Sequence, residues 1–309
     1  PGTYRVATAP GDGQQASDDL VVPTEEESVP ESDFYEGQTL ESGYTYIETR
    51  DGTKLATSVY LPGPAEDGPY PTVVEYSGYD PAKPGTNLLE SNAGKIAELG
   101  LNADELCKTL AYLCDAPAQP SSTIAVAMGY AVVAVNVRGT GCSGGAYDYF
   151  EPLQVLDGYD VIETVAAQDW VYDHKVGMVG LSYPGISQLF VARSQPPSLA
   201  AITPLSVMDD TVRGLLSPGG IFNEGFALTW ADEVLAKAKP YGQGWEQALV
   251  DEGDTVCEAN QSLRGQNVDV TAKALSYDRY PKELGDWYNP SVFGKGITVP
   301  IFLSGAFQD

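Results

Sequence analysis

Hydrophobic positions along the 309-residue chain follow two rhythms. In the first, the short β-prone runs YTYIET (44–49) and KLATSVYL (54–61) flank Arg50, Asp51, Gly52 and Thr53, a sequence suited to a hairpin turn. TVVEY (72–76), AVVAVNV (131–137) and VGMVGL (176–181) are apolar at consecutive positions and rich in valine, the pattern of strands covered on both faces. In the second rhythm, between the last two of these runs, Val155, Tyr159, Ile162 and Val165 or Ala166 recur at helical spacing. AAITPL (200–205) reads as a further strand. This alternation of strand and helix predicts an α/β domain on a doubly wound, mostly parallel sheet. Residues 209–296 lose the alternation and carry helical stretches with many aromatics, until TVPIFLSG (298–305) resumes the sheet. The predicted divisions are therefore an extension over 1–42, the first part of the core over 43–208, an inserted helical cap over 209–296 and a resumed core over 297–309.

Composition narrows the possible partners. Residues 1–42 hold ten acidic residues and one basic, with little periodicity, and read as an acidic extension of weak intrinsic order. Over the whole chain 43 acidic residues face 17 basic ones, and the net charge of −26 repels nucleic acid and an anionic membrane surface alike. No uninterrupted apolar run reaches the roughly 18 residues of a membrane-spanning helix. The best such stretch, 125–137, carries Gly129, Tyr130 and Asn136 and reads as a strand. Cys107, Cys114, Cys142 and Cys257 match no zinc-binding spacing and are expected to form disulfides in an oxidising compartment, with their pairing open. On one continuous helix Cys107 and Cys114 would lie about 10 Å apart, so pairing them needs a break between them. A chain starting at Pro1, without initiator methionine or leader, suits a mature exported protein and equally a fragment.

Candidate chemistry centres on Gly180, Leu181, Ser182, Tyr183, Pro184 and Gly185, which join the end of a hydrophobic strand to the start of an apolar-periodic helix. That is the setting of a nucleophile elbow: a sharp strand-to-helix turn lifts a serine hydroxyl above the sheet, and small neighbours keep adjacent chain from clashing with it. The expectation is an α/β-hydrolase with Ser182 as nucleophile and the backbone N–H of Tyr183 as one oxyanion donor. Pro184 stands where the common G-x-S-x-G pattern has its second glycine, so the match is to G-x-S-x-x-G.

With GLSYPG as its elbow, the chain resembles the serine hydrolases that include bacterial cocaine esterase, X-prolyl dipeptidyl-peptidases and α-amino-acid ester hydrolases, whose elbow reads G-x-S-Y-x-G. The resemblance extends over roughly 43–309. PTVVEYSGYD (71–80) is similar to the strand and loop before that family's oxyanion tyrosine, and VNVRGTGCSGG (135–145) to its R-G segment. RGTGCSGGAYDYFEPLQ and PLSVMDD further resemble exported actinobacterial members. By position the resemblance makes Tyr79 the second oxyanion donor, and Asp309, which follows the strand that resumes after the cap, the triad acid. Asp209 and Asp210 are the alternative acids, better read as the start of the cap, and Arg138 is read as an ion-paired anchor of its loop. The only histidine, His174, precedes VGMVGL while Ser182 follows it, a separation of about 20 Å. The base is therefore expected beyond Asp309, ahead of the C-terminal jelly-roll domain that the resemblance implies.

Phe222, Phe226 and Trp230 recur every four residues and read as a helical stripe that could wall a substrate pocket, with Trp287 and Tyr288 a second such set. The expected reaction is hydrolysis of a carboxylic ester or related acyl substrate through an acyl-enzyme on Ser182, without metal or organic cofactor. An X-prolyl peptidase is the nearest alternative. It must hold a substrate amine with carboxylates, and Asp209, Asp210 and Glu224 are candidates. A non-catalytic binding protein on the same fold is the other alternative.

Overall fold

The computed structural model describes residues 2–4, 20–22, 29–85, 87–110, 113–277 and 279–304. Near the start, β1 (Gly2–Tyr4) pairs antiparallel with β2 (Leu20–Val22). The main sheet comprises β3 (Gly43–Glu48), β4 (Lys54–Tyr60), β5 (Tyr70–Ser77), β6 (Ala131–Asn136), β7 (Val171–Leu181) and β8 (Leu199–Leu205), in the order β3-β4-β6-β5-β7-β8. β3 and β4 form the predicted hairpin, and β4 meets β6 antiparallel. From β6 through β5 and β7 to β8 every pairing is parallel.

The valine runs are buried because they are covered on both faces. On one face Val74, Tyr76, Val133, Val135 and Met178 pack against the helices Pro152–Ala166 and Tyr183–Arg193. On the other, Val73, Val132 and Ala134 meet Ala125 and Val126 of the helix Pro120–Ala127. β6 and β7 lie on opposite sides of β5, so the connections diverge at the carboxyl ends of these strands and leave a crevice there.

Two expectations change. The apolar stretch 125–137 is not one strand: its first residues end a helix, which stops because Gly129 takes a φ of 86°. There the N–H of Tyr130 reaches the carbonyl of Ala125 and that of Gly129 the carbonyl of Val126, a Schellman closure. Nor is the chain before residue 43 loose throughout. The helix Ser32–Glu36 buries Tyr35, whose hydroxyl donates to Asp160 at 2.8 Å. Leu40, 2% exposed, donates its N–H to Gln168 and accepts from the Trp170 indole. Gln38 adds bonds to Glu48 and Gln168, so a few anchoring residues in an acidic stretch dock it, and averaged composition does not register them.

Residues 209–296 form helices and turns, including Phe226–Lys237, Glu246–Asp251, Thr255–Gln261, Val270–Leu275 and Lys282–Trp287. The chain then returns to the sheet beside β8. Ile202 donates to the Pro300 carbonyl at 3.0 Å and accepts from Phe302 at 3.0 Å, with parallel bridges Ile202–Ile301 and Leu205–Ser304. Among the described residues no helix is long and apolar enough to cross a membrane. All four cysteines are paired, Cys107 with Cys114 and Cys142 with Cys257. The helix Ala103–Thr109 ends between the first two, the break that their 5.8 Å Cα separation requires.

Candidate active site

Ser182 sits at the carboxyl end of β7 with φ 66° and ψ −123°, in the left-handed region that a serine rarely occupies. Such a conformation costs on the order of 1–3 kcal/mol and persists only where the surroundings enforce it. Here they do. The Ser182 N–H donates to the Leu205 carbonyl at 2.9 Å, and its carbonyl accepts from Ile186 at 2.8 Å, locking strand, turn and helix together. A Cβ at Gly180 would lie 2.5 Å from Pro184 Cβ, and one at Gly185 2.5 Å from the Leu205 carbonyl oxygen. Pro184 thus fills the space against Gly180, and Gly185 permits the close approach of helix to β8. Pro184 lies in the first helical turn, where its missing N–H has no intrahelical partner to lose.

Tyr79, two residues past β5, brings its hydroxyl to 3.3 Å from Ser182 Oγ. Its backbone is fixed on both sides. The N–H donates to Ser77 Oγ at 3.1 Å, and the carbonyl accepts from Asn136 Nδ2 at 3.0 Å and from Gln243 Nε2. Trp230 Nε1 donates to the Tyr79 hydroxyl at 3.1 Å. An indole N–H can only donate, so it occupies a lone pair of the phenol oxygen and leaves the phenol hydrogen free to point at Ser182. Lys237 Nζ lies 5.7 Å from the centre of the Tyr79 ring.

Tyr183 opens the helix after the nucleophile, so its backbone N–H has no intrahelical acceptor. Its side chain is buried, takes a hydrogen bond from Gln154 Nε2 at 3.0 Å and packs against Phe150 and Trp230. Burial pushes its hydroxyl well above the usual tyrosine range. The side chain is therefore structural, and only the N–H is available to the site.

The other sequence candidates separate. Asp309 lies outside the described residues. Asp210 is the N-cap of the segment Thr211–Leu216, accepting from the N–H groups of Val212 and Arg213, and also binds Asn289 and the Arg213 guanidinium. Arg138 is the loop anchor expected of it, paired with Asp157 at 2.5 Å and Asp51 at 3.1 Å. His174 sits in an exposed bulge at the opposite end of β7, its Nδ1 2.8 Å from the Ala166 carbonyl. Phe222, Phe226 and Trp230 do not share one helix, because the helix begins at Phe226. Phe226 is 61% exposed, whereas Phe222 and Trp230 line a cavity of about 620 Å³ between residues 211–288 and the core residues Asp148 and Tyr149, which Tyr288 also lines. Trp287 instead donates its indole N–H to the Phe150 carbonyl and lies under Arg193.

Gln243, Asn136 and the hydrogen-bonding role of Trp230 were not anticipated. Asn136 alone had a sequence signal, being a polar residue inside the apolar run AVVAVNV. It donates to Tyr79, Thr140 and Gln243 together.

Comparison with known proteins places this geometry in a lineage. Residues 51–309 match the model of the X-Pro dipeptidyl-peptidase (S15 family). The cocaine esterase of Rhodococcus sp. is 28% identical over 192 residues, which cover 60% of this chain and 27% of the esterase. The chain thus spans about a quarter of the length of the curated relatives it matches. Among solved structures, a CocE/NonD family hydrolase from Staphylococcus aureus superposes with a TM-score of 0.58 at 23% identity, over 83% of this chain and 39% of that one. An α-amino acid ester hydrolase gives 0.55 at 20% identity, over 87% and 44%. The two structural likenesses show a shared α/β-hydrolase fold, and on the extent of the family match the chain belongs to the X-Pro dipeptidyl-peptidase (S15) family.

Proposed function

We propose that the protein is a serine hydrolase that cleaves a carboxylic ester or related acyl substrate. The observation that carries the reading is the strained Ser182 with the Tyr79 hydroxyl 3.3 Å from its Oγ. Ser182 Oγ attacks the substrate carbonyl carbon and passes its proton to a general base. The carbonyl oxygen becomes an oxyanion held by the Tyr79 hydroxyl and the Tyr183 N–H, two donors already oriented before substrate arrives. Collapse expels the alcohol, which takes the proton back, and water then hydrolyses the acyl-enzyme by the same steps. His174 cannot be the base from the far end of β7, so we assign that role to a histidine outside these 309 residues, oriented by Asp309. Both disulfides support an oxidising, extracytoplasmic setting.

The peptidase alternative keeps the same nucleophile and shares the family's name. Of its three candidate carboxylates, Asp210 is consumed by two backbone N–H groups, Asn289 and Arg213, which leaves the exposed Asp209 and Glu224 for a substrate amine. Assaying the full-length protein on p-nitrophenyl esters beside X-Pro p-nitroanilides decides between them. Ester turnover lost in Ser182→Ala, with no X-Pro cleavage, is the expected result. Faster X-Pro cleavage would reverse the assignment.

A further inference from the structure

One side chain from residues 209–296 reaches the peptide groups on both sides of Tyr79. Gln243 Nε2 donates to the Gly78 carbonyl at 3.3 Å and to the Tyr79 carbonyl, so its two hydrogens meet the two peptide planes between which Tyr79 turns. The amide fits in one orientation only. Its Oε1 accepts from the Trp245 indole at 3.1 Å, a group that can only donate, and from Asn136 Nδ2 at 3.1 Å, while the two carbonyls can only accept. Asn136 is held in turn, because its Oδ1 accepts from the Ala82 N–H at 3.1 Å.

The chain around Gln243 is bent to deliver it. Tyr241 takes a φ of 56°, in the left-handed region, and Gly244 a φ of 84°. Left-handed backbone at a tyrosine is unfavourable and persists only where its surroundings enforce it. Here the Tyr241 N–H donates to Gln261 Oε1 at 2.8 Å and that of Gln243 to Glu246 Oε1 at 3.0 Å, and both acceptors belong to buried residues. On the facing loop a Cβ at Gly141 would lie 2.8 Å from the Trp245 ring and 2.9 Å from Gln243 Oε1, so glycine there leaves room for the pair.

We infer that Gln243 is a positioning residue for the oxyanion hole: it acts through Tyr79, fixing both peptide planes and so the direction in which the phenol leaves its loop. This rests on the hydrolase reading, in which the Tyr79 hydroxyl holds the oxyanion, and adds that the hole is completed from residues 209–296. From the sheet side, Ser77 Oγ takes the Tyr79 N–H and Asn136 shares the Tyr79 carbonyl. Gln243 supplies the bond to Gly78, and Trp230 holds the hydroxyl at the far end of the ring. A donor turned away from the place where the oxyanion forms loses transition-state stabilisation and leaves substrate binding nearly as it was.

The test is steady-state kinetics on a short-chain p-nitrophenyl ester with the full-length protein. Gln243→Glu keeps the size of the side chain and the acceptor for Trp245 and Asn136, but it turns a carboxylate oxygen, which cannot donate, toward the two carbonyls. It lowers kcat about tenfold or more, bounded by the loss of about 10²–10³ expected of Tyr79→Phe, with KM within about twofold of wild type. Gln243→Leu, which removes the amide without adding charge, reports independently should Gln243→Glu fail to fold, and a cooperative thermal transition qualifies each variant. In the Tyr79→Phe background either substitution lowers kcat less than twofold further, since no phenol hydroxyl remains to be aimed. A folded Gln243 variant with wild-type kcat, or one whose loss is the same in both backgrounds, overturns the inference. Ester turnover that survives Ser182→Ala would instead overturn the hydrolase reading beneath it, so the two failures are distinct.

Discussion

Replacing Trp230 by phenylalanine tests what its hydrogen bond does for Tyr79. In Trp230→Phe the ring that packs against Tyr149 and Tyr183 is largely kept, while the N–H that holds the Tyr79 hydroxyl at 3.1 Å is lost. A neutral hydrogen bond of this kind contributes about 1 kcal/mol net. Without it the phenol hydrogen is no longer directed at Ser182, and kcat should fall about five- to tenfold with KM nearly unchanged, since only transition-state stabilisation is affected. Tyr79→Phe removes the donor itself and should cost about 10²–10³ in kcat. The informative measurement is the double mutant. If Trp230 acts through Tyr79, adding Trp230→Phe to Tyr79→Phe lowers kcat less than twofold further, a coupling of about 1 kcal/mol in the cycle. Steady-state kinetics on a short-chain ester, with thermal melts to confirm folding, supply all four corners. Equal losses from Trp230→Phe in both backgrounds would refute the positioning role.

The remaining predictions concern stability and the base. Burial pushes the Glu75 carboxyl, hydrogen-bonded to Ser122, up to about 7, so between its ordinary value of 4.5 and 7 the folded state binds more protons and stability falls as pH rises. Glu75→Gln removes that slope, and its stability relative to wild type should improve by roughly 3 kcal/mol across the window in urea titrations; parallel curves would contradict this. Replacing both Cys142 and Cys257 by serine opens a closure spanning 115 residues and should cost up to about 5 kcal/mol. A loss below about 1 kcal/mol would mean that the bonds from Asn260, Gln261 and Arg264 to the loop carbonyls of Gly141, Cys142 and Ser143 hold that junction by themselves. His174→Ala in the full-length protein should leave ester turnover nearly intact, and an inactive but folded variant would put the base at His174 after all.

What the sequence made legible follows from how local each cause is. β5, β6 and β7 could be read because a strand covered on both faces needs consecutive apolar residues, and the elbow because the strand, turn and helix that set it lie next to one another along the chain and Gly180 answers to a clash with Pro184. Tyr79 was legible only through family resemblance, since nothing in SGYD marks a loop tyrosine that will meet a serine 103 residues later. The donor from Trp230 lies 151 residues from its acceptor and the one from Gln243 164, and no periodicity encodes such pairs. Spacing misled at Phe222, because a four-residue recurrence looks helical even when the first of the three residues lies ahead of the helix, which starts only at Phe226. The docked chain around Tyr35, Gln38 and Leu40 escaped notice because a few anchors carry what bulk composition averages away.

The central claim is that Ser182 becomes covalently acylated. Incubating the full-length protein with a fluorophosphonate, and in parallel quenching turnover of a slow p-nitrophenyl ester in acid, should give one adduct per chain, mapped by peptide mass spectrometry to the segment containing Gly180, Ser182 and Gly185. Ser182→Ala should show neither adduct while keeping its cooperative thermal transition. An adduct on another residue, or one that persists in folded Ser182→Ala, would contradict the account.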